Sequence, residues 1–277
     1  MQIAGGKVFI SGAASGIGRA TALAMAGSGA RLFLTDINAT GLDQTCRLCG
    51  QAGGQVCLAR AFDVADHQAM QDFAQEIHHG FGALDILVNV AGIALFSQIE
   101  DMRHSDWDKV IRANLWGVIH GIECFTPEMI RSGRGGHIVS VSSTAGIIGL
   151  PWHAVYAGTK HALVGISEVL RYDLKKHHIG VSVICPGAVN TGMVQSAEIH
   201  AREGAADTLR RLFVKVALPP EKVAAIIMEA IRRRKFLVIT SPDIKVLYFL
   251  KHHLFPVYHL IMLLLTRIMD TSLKREG

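Results

Sequence analysis

Tyr156 and Lys160 stand four residues apart, and the hydroxyls of Ser142 and Ser143 come shortly before them. On a helix that spacing puts a phenol of reference pKa about 10 and an ammonium of about 10.4 on one face. A cation beside a phenol favours its ionised form. That moves a weak acid toward the range where it exchanges a proton near neutral pH. The chemistry on offer is proton transfer with an alcohol.

Holding such groups in register needs a strand and a helix. Residues 137–143 read as a buried strand ending in hydroxyls, Gly146 and Gly149 mark a loop, and Tyr156 opens the next helical pattern. Near the N-terminus the apolar run Lys7–Ser11 enters a turn holding Gly12, Ser15, Gly16, Ile17 and Gly18, followed by an alanine-rich helical stretch to Met25. Glycines let the backbone pass close to a pyrophosphate, and the free N–H groups and dipole at the helix start favour its negative charge. A second strand, Arg31–Asp36, ends in an acid placed to accept hydrogen bonds from ribose hydroxyls. A third, Val56–Phe62, runs into Asp63 and Val64, and a fourth, Leu84–Asn89, runs into Val90, Ala91 and Gly92. Asn114 interrupts a helical stretch from Trp107 to Met129, where asparagine competes for backbone hydrogen bonds. A sixth strand begins at Val181 and ends at Pro186 and Gly187, and the last spans Phe236–Thr240.

In this order the motifs resemble the classical short-chain dehydrogenase/reductase family, over residues 5–240. The resemblance implies an α/β fold, a doubly wound Rossmann-type parallel sheet with helices on both faces and the ligand across the carboxyl ends of the strands. It implies hydride transfer between a nicotinamide and a secondary alcohol or carbonyl. Tyr156 then exchanges the proton, Lys160 binds ribose and lowers the Tyr156 pKa, Ser143 orients the substrate oxygen, and Asn114 stabilises a local kink and completes a proton relay. Ser143 is preferred over Ser142 because thirteen residues before the tyrosine is the family's usual separation. Asp63 and Val64 are placed near the adenine, Asn89, Ala91 and Gly92 beside the cofactor, Pro186 and Gly187 against the nicotinamide amide, and Val189 and Thr191 on the carboxamide and pyrophosphate. NADP-using relatives tend to carry a basic residue just before the second glycine or just after the acid. Those positions here are Ser15 and Ile37, so NAD is the expected cofactor rather than NADP. Two residues depart from the family pattern. Ser11 replaces its usual threonine but keeps the hydroxyl, and Val90 replaces a second asparagine whose amide would steady the central sheet. Epimerases and dehydratases of the extended family share the tyrosine and lysine but differ in glycine spacing. A nucleotide-sensing or membrane-associated scaffold, catalytically weak, is the reading a broken tetrad would favour.

With 277 residues, half of them hydrophobic, the chain can bury the core of one α/β domain, placed at 1–240, with an amphipathic basic tail at 241–277. Met1–Gly6 lacks the basic and apolar regions of a signal peptide, and five cysteines, an odd number, suit reduced thiols, so a cytoplasmic protein is expected. The formal charge of +5 is concentrated in residues 232–277, which carry nine Lys/Arg against three acids and leave the remainder near neutral. That distribution, with no accompanying motif, excludes nucleic acid as the expected partner and points to a surface contact made by the tail. Leu247, Leu250, Leu254, Val257, Ile261, Leu264 and Ile268 form one stripe at helical spacing, and Pro256 begins or kinks a helix. The stripe suits packing on the body, the seam of a homodimer or homotetramer, or a membrane surface touched by residues 245–268. Its apolar run is too short to span a bilayer.

Cys46 with Cys49, and the histidine pairs at 78–79, 177–178 and 252–253, lack metal-ligand spacing, so no metal is expected. Substrate specificity is expected in Leu150–His153 and in a lid over residues 192–217, which has no clear sheet pattern and contains Met193, Val194, Ile199, Leu212, Phe213 and Val216.

Overall fold

The strands of the main sheet are apolar runs buried on both faces, the pattern of a parallel sheet covered by helices. The computed structural model describes residues 3–192, 197–200 and 217–273. In chain order its elements are β1 Lys7–Ser11, α1 Gly16–Ala26, β2 Arg31–Asp36, α2 Ala39–Gln51, β3 Gln55–Ala61, α3 His67–Phe81, β4 Ile86–Asn89, β5 Leu95–Ser97, α4 His104–Ile111 and α5 Gly117–Arg131. There follow β6 Gly136–Val141, α6 Ala154–Asp173, β7 Ile179–Cys185, β8 Glu198–His200, α7 Pro220–Arg233, β9 Leu237–Ile239, α8 Pro242–His253 and α9 Phe255–Leu273.

Seven strands pair in parallel in the order β3-β2-β1-β4-β6-β7-β9. This is the doubly wound sheet expected from the sequence. Side chains alternate across it. Val8, Ile10, Leu32, Leu34, Ile86 and Val88 enter one core with α1, α2 and α7, while Phe9, Phe33 and Leu87 enter the other with α3 and α5. The order reverses between β1 and β4, so their carboxyl ends diverge and leave the crevice in which such sheets hold ligands.

The stretch expected to be helical and interrupted at Asn114 is α4 from His104, a π-helical turn over Arg112–Trp116 that holds Asn114, and then α5. Two expectations are corrected. The segment 192–217, expected to lack sheet pairing, contributes β8, which pairs in parallel with β5. Of its named apolar residues, Ile199 lies in β8, and Met193, Val194, Leu212, Phe213 and Val216 lie outside the described residues.

The tail stripe does not form one face. A break at Leu254, φ −136°, separates α8 from α9, which starts just ahead of Pro256. Leu254, Val257, Leu264 and Ile268 are exposed, as are Phe249, Leu260 and Leu263. The tail binds the body through Ile244 and Tyr248, which pack against Ile147, Val183 and Cys185, and through hydrogen bonds: Lys251 donates to the Ile147 carbonyl, Tyr258 accepts from the Gly149 N–H, and Asp270 accepts from Gln98 and Trp152. These contacts leave much of the apolar stripe facing outward. No helix among the described residues is long and apolar enough to cross a membrane.

Candidate active site

β1 delivers the chain into the glycine turn at the crevice. Gly12 has φ +68°, and a Cβ there would lie 2.9 Å from the Ala91 backbone; at Gly18 a Cβ would lie 1.9 Å from the Gly12 carbonyl oxygen. Only glycine lets β1, the turn and α1 close on one another this tightly. Ser11, the departure from threonine, hydrogen-bonds through its hydroxyl to the N–H groups of Val90 (3.1 Å) and Ala91 (3.3 Å), tying β1 to the end of β4. Asp36 ends β2 with one carboxylate oxygen accepting from the Ala14 N–H and the other from the Asn38 N–H, both at 2.9 Å. The cap of α2 is Asn38, which accepts from Gly41, so Asp36 is free of that duty.

A cleft of about 760 Å³ runs along the carboxyl ends of the strands. Gly12, Ser15, Gly16, Ile17, Gly18 and Asp36 line it, as do Asp63, Val64, Ala91 and Gly92. Its other side takes Ser143, Tyr156, Lys160, Pro186, Gly187, Val189 and Thr191. Thus all but two of the residues expected to be catalytic or to bind the cofactor line one space. The exceptions are Asn89 and Asn114. The Asn89 side chain is buried against α5, where a Cβ on Gly121 would lie 2.5 Å from its oxygen, and it has no hydrogen-bond partner among the described residues. Asn114, fully buried in the π-helical turn, accepts from the Ile93 N–H at 2.7 Å and donates to the Ile93 carbonyl at 3.0 Å. The side chain stands in for a strand partner and fixes the backbone just past Gly92.

β6 ends where its hydroxyls diverge. Ser142 Oγ donates to the Lys160 carbonyl at 2.8 Å and braces α6, while Ser143 accepts from the Ala145 N–H and hydrogen-bonds Tyr156. Tyr156 and Lys160 share one face of α6, with the ammonium 5.7 Å from the centre of the phenol ring. Lys160 is 2% exposed and donates to the Val141 carbonyl at 3.0 Å. Burial pulls its pKa from 10.5 down to about 8. Burial also pushes the Tyr156 phenol up, opposed by the hydrogen bond with Ser143. Desolvation is the larger influence on the phenol, and Ser143 the neighbour that favours the phenolate.

Further wall residues carried no motif of their own. Ile93, Ala94 and Phe96 come from β5 and its approach, Lys109 and Arg112 from α4 and the π-turn, and Leu150 and His153 from the loop before α6. The last two fall in the segment expected to set specificity. Sequence reasoning also missed a cluster beside the cleft. His200 of β8 lies 3.8 Å from Asp106 and 3.1 Å from Glu198, and Lys109 lies 2.9 Å from Glu198. These are donor types for a divalent cation, though Lys109 already neutralises Glu198 and holds its carboxyl below the usual range. Cys46 and Cys49 are free thiols on α2, and burial pushes Cys49 up to about 11.

A parallel doubly wound sheet with this glycine turn and a serine, tyrosine and lysine over one cleft defines a class of nucleotide-binding α/β proteins. The family model described as short chain dehydrogenase matches residues 7–202, and the chain belongs to that family. It is 33% identical over 248 residues to the probable oxidoreductase EphD of Mycobacterium tuberculosis, a match covering 87% of this chain and 42% of that protein. The chain therefore spans less than half the length of that relative. The 3-oxoacyl-(acyl-carrier-protein) reductase FabG of Thermotoga maritima is 34% identical over 228 residues, covering 82% of this chain and 91% of that one. Among solved structures, a short chain dehydrogenase/reductase from Burkholderia phymatum in complex with NAD superposes with a TM-score of 0.86 at 30% identity, covering 93% of this chain and 96% of that chain.

Proposed function

We propose that this protein is an NAD(H)-dependent oxidoreductase acting on a secondary alcohol or the corresponding carbonyl of an apolar substrate. The observation that carries the reading is the convergence of Ser143, Tyr156 and Lys160 on the same cleft as the glycine turn. The cofactor would supply the hydride acceptor or donor. Gly12, Ser15, Gly16, Ile17 and Gly18 would hold its pyrophosphate, Asp36 its adenosine ribose, and Asp63, Val64, Ala91 and Gly92 the adenine side. Pro186 and Gly187 would lie against the nicotinamide amide, Val189 and Thr191 against the carboxamide and pyrophosphate, and Asn89 beside the cofactor, while Asn114 would fix the backbone just past Gly92 and complete a proton relay with Lys160. Ser143 holds the substrate oxygen, Tyr156 gives or takes its proton, and Lys160 binds ribose and keeps a positive charge beside the phenol. A filled set of four favours this enzyme reading over a nucleotide-sensing scaffold. Asp36, with no basic residue at Ser15 or Ile37, favours NAD over NADP, and the NAD complex of the Burkholderia relative supports it.

In this reading residues 1–240 form the catalytic unit and 241–277 a tail. The protein is cytoplasmic and assembles as a homodimer or homotetramer. The exposed apolar residues of α8 and α9, with the exposed Lys245 and Arg267, rest on an anionic membrane surface. NADH oxidation measured against ketosteroids, retinoids, long-chain ketones and small diketones tests the central claim. Turnover of at least one class is expected, and no NADH binding by calorimetry would overturn it.

A further inference from the structure

The substrate side of the cleft is walled by two rings from separate parts of the chain. Phe96 belongs to β5 and His153 caps α6, and their centroids lie 4.4 Å apart at 70°. His153 in turn stands 6.0 Å from the Tyr156 ring, so its position bears on where a substrate meets the phenol. Its Nδ1 is 2.6 Å from the Pro151 carbonyl, which only accepts. Nδ1 therefore carries the proton. Burial lowers the ring's pKa, which favours the neutral form.

What fixes these rings lies far away in sequence. Trp152, directly before His153, has φ +65°, a left-handed conformation that a bulky residue adopts only when its surroundings impose it. Two contacts impose it. The Trp152 carbonyl accepts from the Ser97 N–H at 2.9 Å, and its indole N–H donates to Asp270 Oδ1 at 3.0 Å. The same Asp270 oxygen accepts from Gln98 Nε2 at 2.9 Å. One carboxylate oxygen on α9 thus ties the residue before His153 to the residue just after β5. Lys251 and Tyr258 add anchors at Ile147 and Gly149, so the tail grips the loop at three places over residues 147–152.

We propose that α8 and α9 are a built-in clamp on the substrate wall, and that Asp270 is a positioning residue. It holds Trp152 left-handed and thereby sets Phe96 and His153 against the substrate. This rests on the oxidoreductase reading for its kinetic consequence but not for its structural one.

The test uses the full chain and a ketone found by the NADH screen. Asp270→Ala should raise KM roughly tenfold while kcat and NADH affinity stay within about twofold, because the wall moves and the proton-transfer groups do not. Asp270→Asn, which keeps the acceptor oxygen, should restore most of the affinity, and Trp152→Phe, which removes the N–H donor together with part of the ring system, should reproduce part of the loss. Hydrogen exchange on the NADH-bound protein should show faster exchange over residues 147–153 in Asp270→Ala, with β1 unchanged. An unchanged KM overturns the proposal. So does a loss of kcat, NADH affinity and KM together that Asp270→Asn fails to rescue, since that pattern is general destabilisation. If no ketone is turned over, the oxidoreductase reading fails on its own. The exchange experiment then still decides the clamp, and unaltered exchange in the loop sinks it.

Discussion

Replacing Lys160 by methionine should make the protein more stable at neutral pH. The ammonium is almost wholly buried, and its pKa falls from 10.5 to about 8, which at 1.36 kcal/mol per unit corresponds to about 3 kcal/mol against the charged native form. Methionine removes that penalty with similar volume, and it leaves the Val141 carbonyl without its donor, a loss of roughly 1–2 kcal/mol. The variant is therefore expected to gain about 1–2 kcal/mol at pH 7. The sign of the pH dependence is fixed by the direction of the shift. Between pH 8 and 10.5 the unfolded chain binds a proton at Lys160 that the native chain does not, so wild-type stability rises with pH across that window. The variant lacks this rise, and its advantage should disappear near pH 9.5. Urea unfolding of both proteins without cofactor, at pH 7 and pH 9.5, measures the difference directly. A variant less stable at pH 7, or a difference that does not change with pH, would refute the reasoning. Tolerance of so unfavourable a charge is the stability side of a functional group, and NADH binding should weaken in the same variant.

Tyr156→Phe keeps the ring and loses the transferable proton, so kcat should drop by at least about a hundredfold with NADH affinity within about twofold, as single-turnover kinetics and titration would show. For cofactor choice, isothermal titration should find NADH at least about tenfold tighter than NADPH, since a further phosphate would meet the Asp36 carboxylate already fixed between Ala14 and Asn38; tighter NADPH binding would sink that reading. On anionic vesicles at low salt the full chain should float, and Leu260→Glu with Leu264→Glu, two exposed positions, should abolish it. If the unaltered chain stays at the bottom of the gradient, the membrane contact is wrong.

Much of this protein was determined locally and was therefore legible in its sequence. Buried parallel strands are continuous apolar runs, the glycine turn is dictated by backbone approach, and Tyr156 and Lys160 meet because both ride one helix. Those features depend on periodicity and on residue type within about a dozen positions. The tertiary structure alone decided the rest. The pairing of β5 with β8 joins three-residue strands about a hundred residues apart, too short to carry a pattern of their own. Whether Asn89 faces the cleft or α5 depends on how Gly121 packs against it. Burial pushes the Tyr156 phenol up, and burial is a property of the whole molecule. The tail shows the difference most plainly. Its apolar stripe was visible at once, yet the face it presents was set by Ile244 and Tyr248 packing on Ile147, Val183 and Cys185 and by Lys251, Tyr258 and Asp270, whose partners at Ile147, Gly149, Trp152 and Gln98 lie more than a hundred residues away. A helical period says which residues share a side, and only long-range contacts say which side faces the protein.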